Sequence, residues 1–346
     1  MQGKLDRSII IEDPGELTLI ERIRSLSSRI SGQKVRLGIG DDCALLRTKP
    51  REEIAVTTDL SIAGRHFRLN WHPPASVGHR ALARGLSDLA AMGARPVAAF
   101  LSLGVPRELT VTGGRRPAWI DGFFSGFLAL AEATRTPLAG GDLAESPVAV
   151  ADIVLVGTVP RGRALLRSGA RPGDMLYVTG TLGGASQGLR RLGKLARNKK
   201  TPPSIPNAMR DSLAPHLYPQ PRLAQGIWLR EHKVATAAID LSDGLSTDLA
   251  HLCAESGVAA EIDAAQLPVH PGASLEQALS GGEDYELLFT GAPKTKMPRS
   301  ISGVPVTRIG RIFPLHGRSA QVTLLTDRGP QPLHASGWEH FSGSLL

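Results

Sequence analysis

The chain has 346 residues, 42% of them hydrophobic and 4% aromatic, and carries a net charge of +8 from 40 basic and 32 acidic side chains. This is enough for one large or two ordinary globular domains with a mainly aliphatic core. Two cysteines, Cys43 and Cys253, exclude a disulfide scaffold and favour a reducing, cytoplasmic location. We expect no signal peptide and no membrane span, because the apolar run at 148–159 is interrupted by Asp152.

The first 160 residues predict alternating helices and strands. A helix start at Asp13-Pro14-Gly15-Glu16 is followed by apolar residues at helical spacing up to Leu26. The further predicted elements are a strand at 54–58 ending at Asp59, a helix at 76–92, a strand at 97–103, a helix at 120–133, a short strand near 137–138 with a Gly-Gly-Asp turn at 140–142, and a strand at 149–159.

A polar, glycine-rich stretch at 161–173 is typical of a linker, and we place a domain boundary there, giving domains of residues 1–160 and 161–346. The alternation continues beyond it and predicts a two-domain α/β protein with ligand sites in the loops that follow strands. The elements expected there are strands at 175–179, 235–241, 285–290 and 306–312, a glycine-rich turn at 180–188, and a helix at 245–255.

Acidic residues gather in short segments of glycine, serine and threonine beside apolar runs. The segments are GIGDD (38–42), TTD (57–59), LSD (86–88), GGD (140–142), IDLSDG (239–244) and GGEDYE (281–286). Mg²⁺ prefers such oxygen ligands and usually completes its shell with water and substrate phosphates, so the pattern predicts phosphate chemistry. Taken singly, Asp88 and Asp243 adjoin predicted helices and are also natural helix caps.

Three short motifs suggest other enzyme classes but lack their context. The segment 188–195 resembles a P-loop, yet Leu195 stands where Ser or Thr is required. The segment 184–188 matches the nucleophile elbow of hydrolases, which would leave the acidic segments unexplained. Gly38-Ile39-Gly40 lacks the third glycine of a dinucleotide-binding turn. We therefore favour none of these classes.

The basic excess raises the alternative of a nucleic-acid-binding or nucleotide-sensing protein without catalysis. Its support is the cluster of Arg and Lys at 190–200, which leads into a proline-rich stretch. The basic residues do not form one stripe with interleaved aromatics. We therefore interpret the cluster as a solvated helix end and loop, and expect no nucleic-acid partner.

Eight segments, taken in order, closely resemble the thiamine-monophosphate kinase family. This family belongs to an ATP-dependent superfamily that also holds aminoimidazole ribonucleotide synthetase and selenophosphate synthetase. The segments are GIGDDCALL (38–46), TTDLSIAGRHF (57–67), ALARGLSDLAAMGARP (81–96), GGD (140–142), LLRSGARPGDMLYVTGTLGG (165–184), AIDLSDGLSTDLAHL (238–252), GGEDYELLFT (281–290) and GWEHF (337–341). The selenium-handling and hydrogenase-maturation members are less favoured, because this sequence has no cysteine near either end.

The resemblance implies an N-terminal α/β domain whose strands join a barrel at a homodimer interface, and a C-terminal α/β domain. It also implies ATP and several Mg²⁺ ions between the domains. The implied activity is direct in-line transfer of a phosphoryl group from ATP to thiamine monophosphate, giving thiamine diphosphate.

The resemblance also assigns roles to residues at matching positions. The metal ligands it implies are Asp42, Thr57, Thr58, Asp59, Asp88, Asp142, Asp240 and Asp243, of which Asp88 and Asp243 are also implied to be catalytic. The implied ATP contacts are Gly141, Asp142, Arg167 and Ser242. The implied thiamine monophosphate contacts are His66, Glu283 and Trp338.

The sequence departs from the family pattern at several places, including Gly85 where Asn is common and Trp338 where Tyr is common. Leu143-Ala144 stand where two threonines are usual, Gly183-Gly184 lack an acid often found there, and the basic stretch at 194–206 resembles a loop insertion. None of these departures removes an aspartate of the implied metal set.

Overall fold

The computed structural model of the protein describes residues 16–27, 34–37, 45–112, 117–315 and 321–337. Two large β-sheets with packed helices divide these residues into two α/β halves, which confirms the predicted fold class, and β1 and β2 of the first half form a separate two-stranded sheet. Among the described residues, no helix has the length and apolar content needed to cross a membrane.

The first half is built on a four-stranded sheet. Its elements are α1 (Glu16–Ser27), β1 (Val35–Leu37), β2 (Leu45–Leu46), β3 (Glu52–Ile62), α2 (Pro74–Ala91), β4 (Arg95–Val105), α3 (Trp119–Thr134), β5 (Leu138–Glu145) and β6 (Val150–Pro160). The sheet order is β3-β6-β4-β5, with β4 and β5 parallel and the other pairs antiparallel. Within the described residues the sheet is open and does not close into a barrel.

Helices α2 and α3 pack against each other and on one face of this sheet. Leu82, Phe123 and Leu155, all fully buried, lie in the shared core. At Gly78 an added Cβ would overlap the carbonyl oxygen of Phe123, and at Gly126 it would overlap another main-chain carbonyl. Glycine at these two positions therefore allows the close approach of the helices, which fixes α2 over the sheet.

The second half is built on a larger sheet. Its elements are β7 (Met175–Thr179), α4 (Gly184–Leu195), α5 (Arg210–Leu217), α6 (Leu223–His232), β8 (Ala237–Asp240), α7 (Leu245–Ser256), β9 (Val258–Asp263), α8 (Leu275–Ser280), β10 (Leu287–Gly291), β11 (Ser300–Ile301), β12 (Val304–Pro314), β13 (Val322–Thr326) and β14 (Gly329–Pro332). The order is β14-β13-β9-β12-β7-β10-β8, with β11 paired to β12.

Helix α2 also joins the two halves. An added Cβ at Gly226 of α6 would overlap the carbonyl oxygen of Ala90, so the two helices touch through their backbones. One turn earlier, the Ser87 hydroxyl donates a 2.7 Å hydrogen bond to the Asp240 carboxylate at the end of β8. Helix α6 and the end of β8 are thereby held against the C-terminal part of α2.

The predicted elements recur with shifted ends, but three predictions were wrong. Strand β3 does not end at Asp59, because it pairs with β6 in continuous register up to Ile62. The Gly-Gly-Asp segment at 140–142 lies inside β5, paired with β4, and not in a turn. Residues 184–188 form the first turn and a half of α4. Non-local strand pairing thus overrides the local preference of aspartate and glycine for turns.

Candidate active site

Helix α2 presents a row of charged side chains at a spacing of four residues: Arg80, Arg84 and Asp88. Residues spaced by four lie above one another on one face of a helix. Asp88 lies near the C-terminal end of α2, so the helix-cap alternative was wrong for this residue. The sequence reasoning missed both arginines, although the spacing within RALARGLSDL (80–89) is the signal that identifies them.

Strand β3 faces this row. The Thr57 hydroxyl donates a short hydrogen bond to the Asp88 carboxylate, and Arg84 Nε lies 3.5 Å from Asp59 Oδ1. Thr57 and Asp59 share one face of the strand, because side chains alternate along it. Thr58 is exposed on the opposite face. The structure therefore brings Thr57, Asp59 and Asp88 together but leaves the Thr58 side chain apart.

Asp240 completes a group that we call the carboxylate cluster: Asp59, Asp88 and Asp240. Asp240 is only 3% exposed. Burial, followed by the neighbouring Asp88 charge, raises the pKa of Asp240 to about 7. Burial is also the main cause that raises the pKa of Asp59 to about 6 and raises that of Asp88. Three carboxylates from β3, α2 and β8 thus crowd into one poorly solvated region.

The donor set of the cluster fits a hard cation. Burial destabilises each ionised carboxylate, and a divalent cation would offset that cost. Within the part of the chain that the structure describes, no three His, Cys, Asp or Glu side chains are placed so that they alone could hold a metal ion. Mg²⁺ usually takes one or two carboxylates together with water and phosphate oxygens, so the cluster suits an ion shared with substrate. Asp42, assigned to the same set, lies outside the described residues.

The loop after β8 places Ser242 and Asp243 next to the cluster. The amides of Asp243 and Gly244 donate to Asp248 Oδ2 at 3.1 and 3.0 Å. Asp248, which the sequence reasoning missed, therefore accepts the hydrogen bonds of the amides at the start of α7. The helix-cap alternative was wrong for Asp243, because Gly244 is the N-cap residue. Burial, with Asp240 and Asp243 nearby, raises the pKa of Asp248 to about 8.

Glu283 lies on the neighbouring loop and is held at several points. Its amide donates to the carbonyl of Ser242 at 2.8 Å, and its backbone is left-handed with φ +66°. Arg80 Nη2 donates to Glu283 Oε1 at 2.5 Å, and His216 Nδ1 lies 3.6 Å from Oε2. Burial alone would raise the pKa of Glu283, but Arg80 and Arg84 overcome it and lower the pKa. The carboxylate is therefore ionised and fixed in orientation.

His66 follows β3 and lines a small cavity with Ser61, Arg80 and Arg84. The Ile62 amide donates to His66 Nδ1 at 3.0 Å, so the neutral ring carries its proton on Nε2. Arg80 is 5% exposed, and its Nε and Nη1 atoms have no hydrogen-bond partner among the described residues. The cavity wall thus offers donors suited to an anion.

Gly141 and Asp142 lie on β5, at the far edge of the first sheet. Gly141 has φ +151°, and an added Cβ would overlap a main-chain carbonyl of β4. Asp142 pairs with Ser102, Ser102 with Asp152, and Asp152 with Leu60 of β3. At about 4.8 Å per strand, Asp142 is roughly 14 Å from β3. The structure therefore does not bring the Asp142 side chain to the carboxylate cluster.

Of the two remaining sequence-assigned residues, Arg167 and Trp338, the structure describes only Arg167. Burial raises the pKa of Asp88 and of Asp240, and the positive charge of the exposed Arg167 partly offsets this rise. The Arg167 charge therefore lies near the cluster. The Gly337 amide donates to Thr247 Oγ1 at 3.0 Å, which places the chain leading to Trp338 beside α7. Trp338 itself lies outside the described residues.

Comparison with known proteins identifies the family. Residues 40–160 match the AIR synthase related protein N-terminal domain, and residues 171–301 match the C-terminal domain of the same family. The chain is 40% identical to the thiamine-monophosphate kinase of Escherichia coli (strain K12), over 95% of this chain and 98% of that protein.

Solved structures agree with this sequence match. The crystal structure of thiamine-monophosphate kinase from Stenotrophomonas maltophilia K279a matches with a TM-score of 0.74 and 38% identity, covering 89% of this chain and 96% of that chain. The structure of AaThiL complexed with AMPPCP and TMP matches with a TM-score of 0.71 and 30% identity, covering 94% and 97%. The chain belongs to the thiamine-monophosphate kinase family.

Proposed function

We propose that this chain transfers the γ-phosphoryl group of ATP to thiamine monophosphate, giving thiamine diphosphate and ADP. Family membership supports the reaction, as does the solved relative with AMPPCP and TMP bound. The observation that carries the proposal is the carboxylate cluster lying beside Arg80, Arg84 and the ionised Glu283.

Mutual repulsion of the substrates is the main obstacle to this reaction. ATP and a phosphate monoester together bring about five to six negative charges at neutral pH. Mg²⁺, when bound, would neutralise this charge and align the transferred group. The carboxylate cluster would supply its ligands, together with Asp42, Asp243 and Thr57 of the assigned set. Gly141, Asp142, Arg167 and Ser242 would contact ATP.

The acceptor needs no general base, because its phosphate oxygen is already ionised. An acceptor oxygen attacks the γ-phosphorus in line, the bond to the β–γ bridging oxygen breaks, and ADP leaves. Arg80 and Arg84 would hold the acceptor phosphate, since guanidinium groups bind phosphate through paired donors. Glu283, His66 and Trp338 would bind the thiamine portion, with the Glu283 carboxylate close to its cationic ring.

A homodimer is the assembly that the first sheet supports. Strand β3 is an edge strand, and its outward face exposes Ile54 by 58%, Val56 by 61% and Leu60 by 46%. A long, apolar edge strand is normally covered by another chain, and a second copy would complete a barrel. Sedimentation velocity should show a dimer for the wild type and a monomer for the double variant Ile54→Lys/Val56→Lys. An unchanged dimer in that variant would show that β3 is not the interface.

The domain boundary and the cellular location also belong to this proposal. We place the domain boundary at residues 161–173, which is supported by family matches that end at residue 160 and resume at 171. A cytoplasmic location is supported by the demand for ATP and by Cys253, which is a free, fully buried thiol.

The direct test incubates purified protein with ATP, Mg²⁺ and thiamine monophosphate and measures thiamine diphosphate by chromatography. Asp243→Asn should abolish turnover with an unchanged thermal midpoint, because it removes one assigned ligand while keeping the side-chain shape. A near-normal kcat would remove Asp243 from the metal set. If the wild type gave no product at any Mg²⁺ concentration but bound nucleic acid, the basic binding protein would become the better interpretation.

A further inference from the structure

Two buried histidines from different halves of the molecule are joined by a hydrogen bond behind Glu283. His72 lies between β3 and α2, and His216 lies on α5; each is 2% exposed. Their Nε2 atoms are 3.0 Å apart. Neither residue has a role in the proposed function so far, yet burying an imidazole pair is unfavourable unless its hydrogen bonds are satisfied.

The backbone fixes the direction of this hydrogen bond. The Arg68 amide donates to His72 Nδ1 at 3.1 Å. The Arg68 carbonyl oxygen lies 3.3 Å from the same nitrogen, but it already accepts from the amides of Trp71 and His72 at 3.0 Å each. An amide N–H can only donate, so the neutral His72 ring carries its proton on Nε2 and donates to His216 Nε2. The proton of His216 is then on Nδ1, which lies 3.6 Å from Glu283 Oε2.

The charges around the pair favour the same arrangement. Burial, reinforced by the Arg80 charge, lowers the pKa of His72 to about 4 and that of His216 well below its ordinary value. Both rings are therefore neutral, whereas Glu283 is ionised. A neutral His216 protonated on Nδ1 presents a donor to this carboxylate, while the other tautomer would present a lone pair. The Arg68 amide at one end of the pair and the Glu283 carboxylate at the other therefore favour the same direction of the hydrogen bond between the two rings.

We propose that the His72–His216 pair positions Glu283 for the acceptor through a directional hydrogen-bond chain that starts at the Arg68 amide. The inference rests on the proposed role of Glu283 in binding thiamine monophosphate. Arg80 donates to Oε1, whereas His216 Nδ1, which has no hydrogen-bond partner among the described residues, faces Oε2. The 3.6 Å separation closes to a hydrogen bond with a shift of about 0.5 Å. His72 and His216 are thus positioning residues, not catalytic ones.

Steady-state kinetics of three variants separate positioning from folding. His216→Leu removes the donor and should raise the KM for thiamine monophosphate about tenfold, the usual effect of losing a hydrogen bond to a charged group, with the KM for ATP unchanged. His216→Asn, whose amide nitrogen replaces Nδ1, should restore most of the affinity. The matched control is His79→Leu: His79 is 8% exposed, donates to the Pro219 carbonyl at 2.8 Å, and should leave both KM values near wild type.

A second measurement tests the hydrogen-bond chain without relying on enzyme activity. Nitrogen-15 NMR of histidine-labelled wild type should find the proton of His72 on Nε2 and that of His216 on Nδ1. The reverse tautomers, or equal KM increases in His216→Leu and His79→Leu, would overturn the inference. A wild type that makes no thiamine diphosphate would instead overturn the proposed function, and the tautomers would still decide whether the chain exists.

Discussion

Asp240→Asn should make the metal-free protein more stable while abolishing its activity. Asp240 is buried in the carboxylate cluster, and its pKa is raised to about 7, against about 3.9 in an unfolded chain. The folded state therefore binds a proton more tightly than the unfolded state does. Stability is then fully present below about pH 4 and is lost as the pH rises through about 7.

The size of the effect follows from this difference of about three pKa units. At 1.36 kcal/mol per unit, ionised Asp240 destabilises the fold by up to about 4 kcal/mol at pH 8. The three carboxylates share part of this cost, so we expect about 2–4 kcal/mol for one substitution. Asparagine removes the charge but keeps an oxygen that accepts the Ser87 hydrogen bond. The gain in unfolding free energy of Asp240→Asn over wild type should fall to about 1 kcal/mol near pH 5, because Asp240 in the folded wild type is protonated there.

Urea unfolding in EDTA at pH 5 and pH 8 measures these free energies. Asp211→Asn is the control, because Asp211 is exposed and lies on α5. Adding Mg²⁺ at pH 8 should stabilise the wild type more than Asp240→Asn and so narrow the difference. A variant less stable than wild type at pH 8, or a difference that does not change with pH, would refute the account of the cluster.

Three further changes test other parts of the structure. Arg222→Ala should lower the unfolding free energy by about 3 kcal/mol in urea titration, because it leaves Glu286 buried without its bidentate partner at 2.5 and 2.6 Å. Gly141→Ala should raise the KM for ATP and lower the unfolding free energy by about 2 kcal/mol, because Gly141 has a positive φ and no room for a Cβ. Gly140→Ala is the control, since Gly140 has no positive φ, and it should change both quantities less. Equal changes in the two variants would show that backbone strain at Gly141 is not the cause. Cys253 should resist alkylation at pH 8 until urea unfolds the chain, because burial raises the pKa of its thiol to about 12. Rapid labelling of the folded protein would show that the thiol is accessible and reactive.

Local patterns in the sequence predicted most elements of the fold. The apolar periodicity at 76–92 gave α2, and the apolar run at 149–159 gave β6, because both signals lie within one segment. The course of β3 beyond Asp59 was not predictable in this way. It depends on pairing with β6, which lies about ninety residues further along the chain.

In the candidate site, too, residues with a local sequence signal were predicted, and contacts between distant segments were not. Aspartates in glycine-rich segments indicated a cation and phosphate site, and the structure brings Asp59, Asp88 and Asp240 together. The partners of Glu283 were missed, because Arg80 is 203 residues away in sequence. The His72–His216 contact spans 144 residues and has no local signal at all.

Phosphorus NMR of the reaction mixture distinguishes phosphoryl transfer to thiamine monophosphate from hydrolysis of ATP. With ATP, Mg²⁺ and thiamine monophosphate, the monophosphate signal should be replaced by two diphosphate signals, with one ADP formed for each thiamine diphosphate. The conversion should stop in EDTA. Loss of ATP with release of free phosphate and no diphosphate signals would contradict transfer to the acceptor.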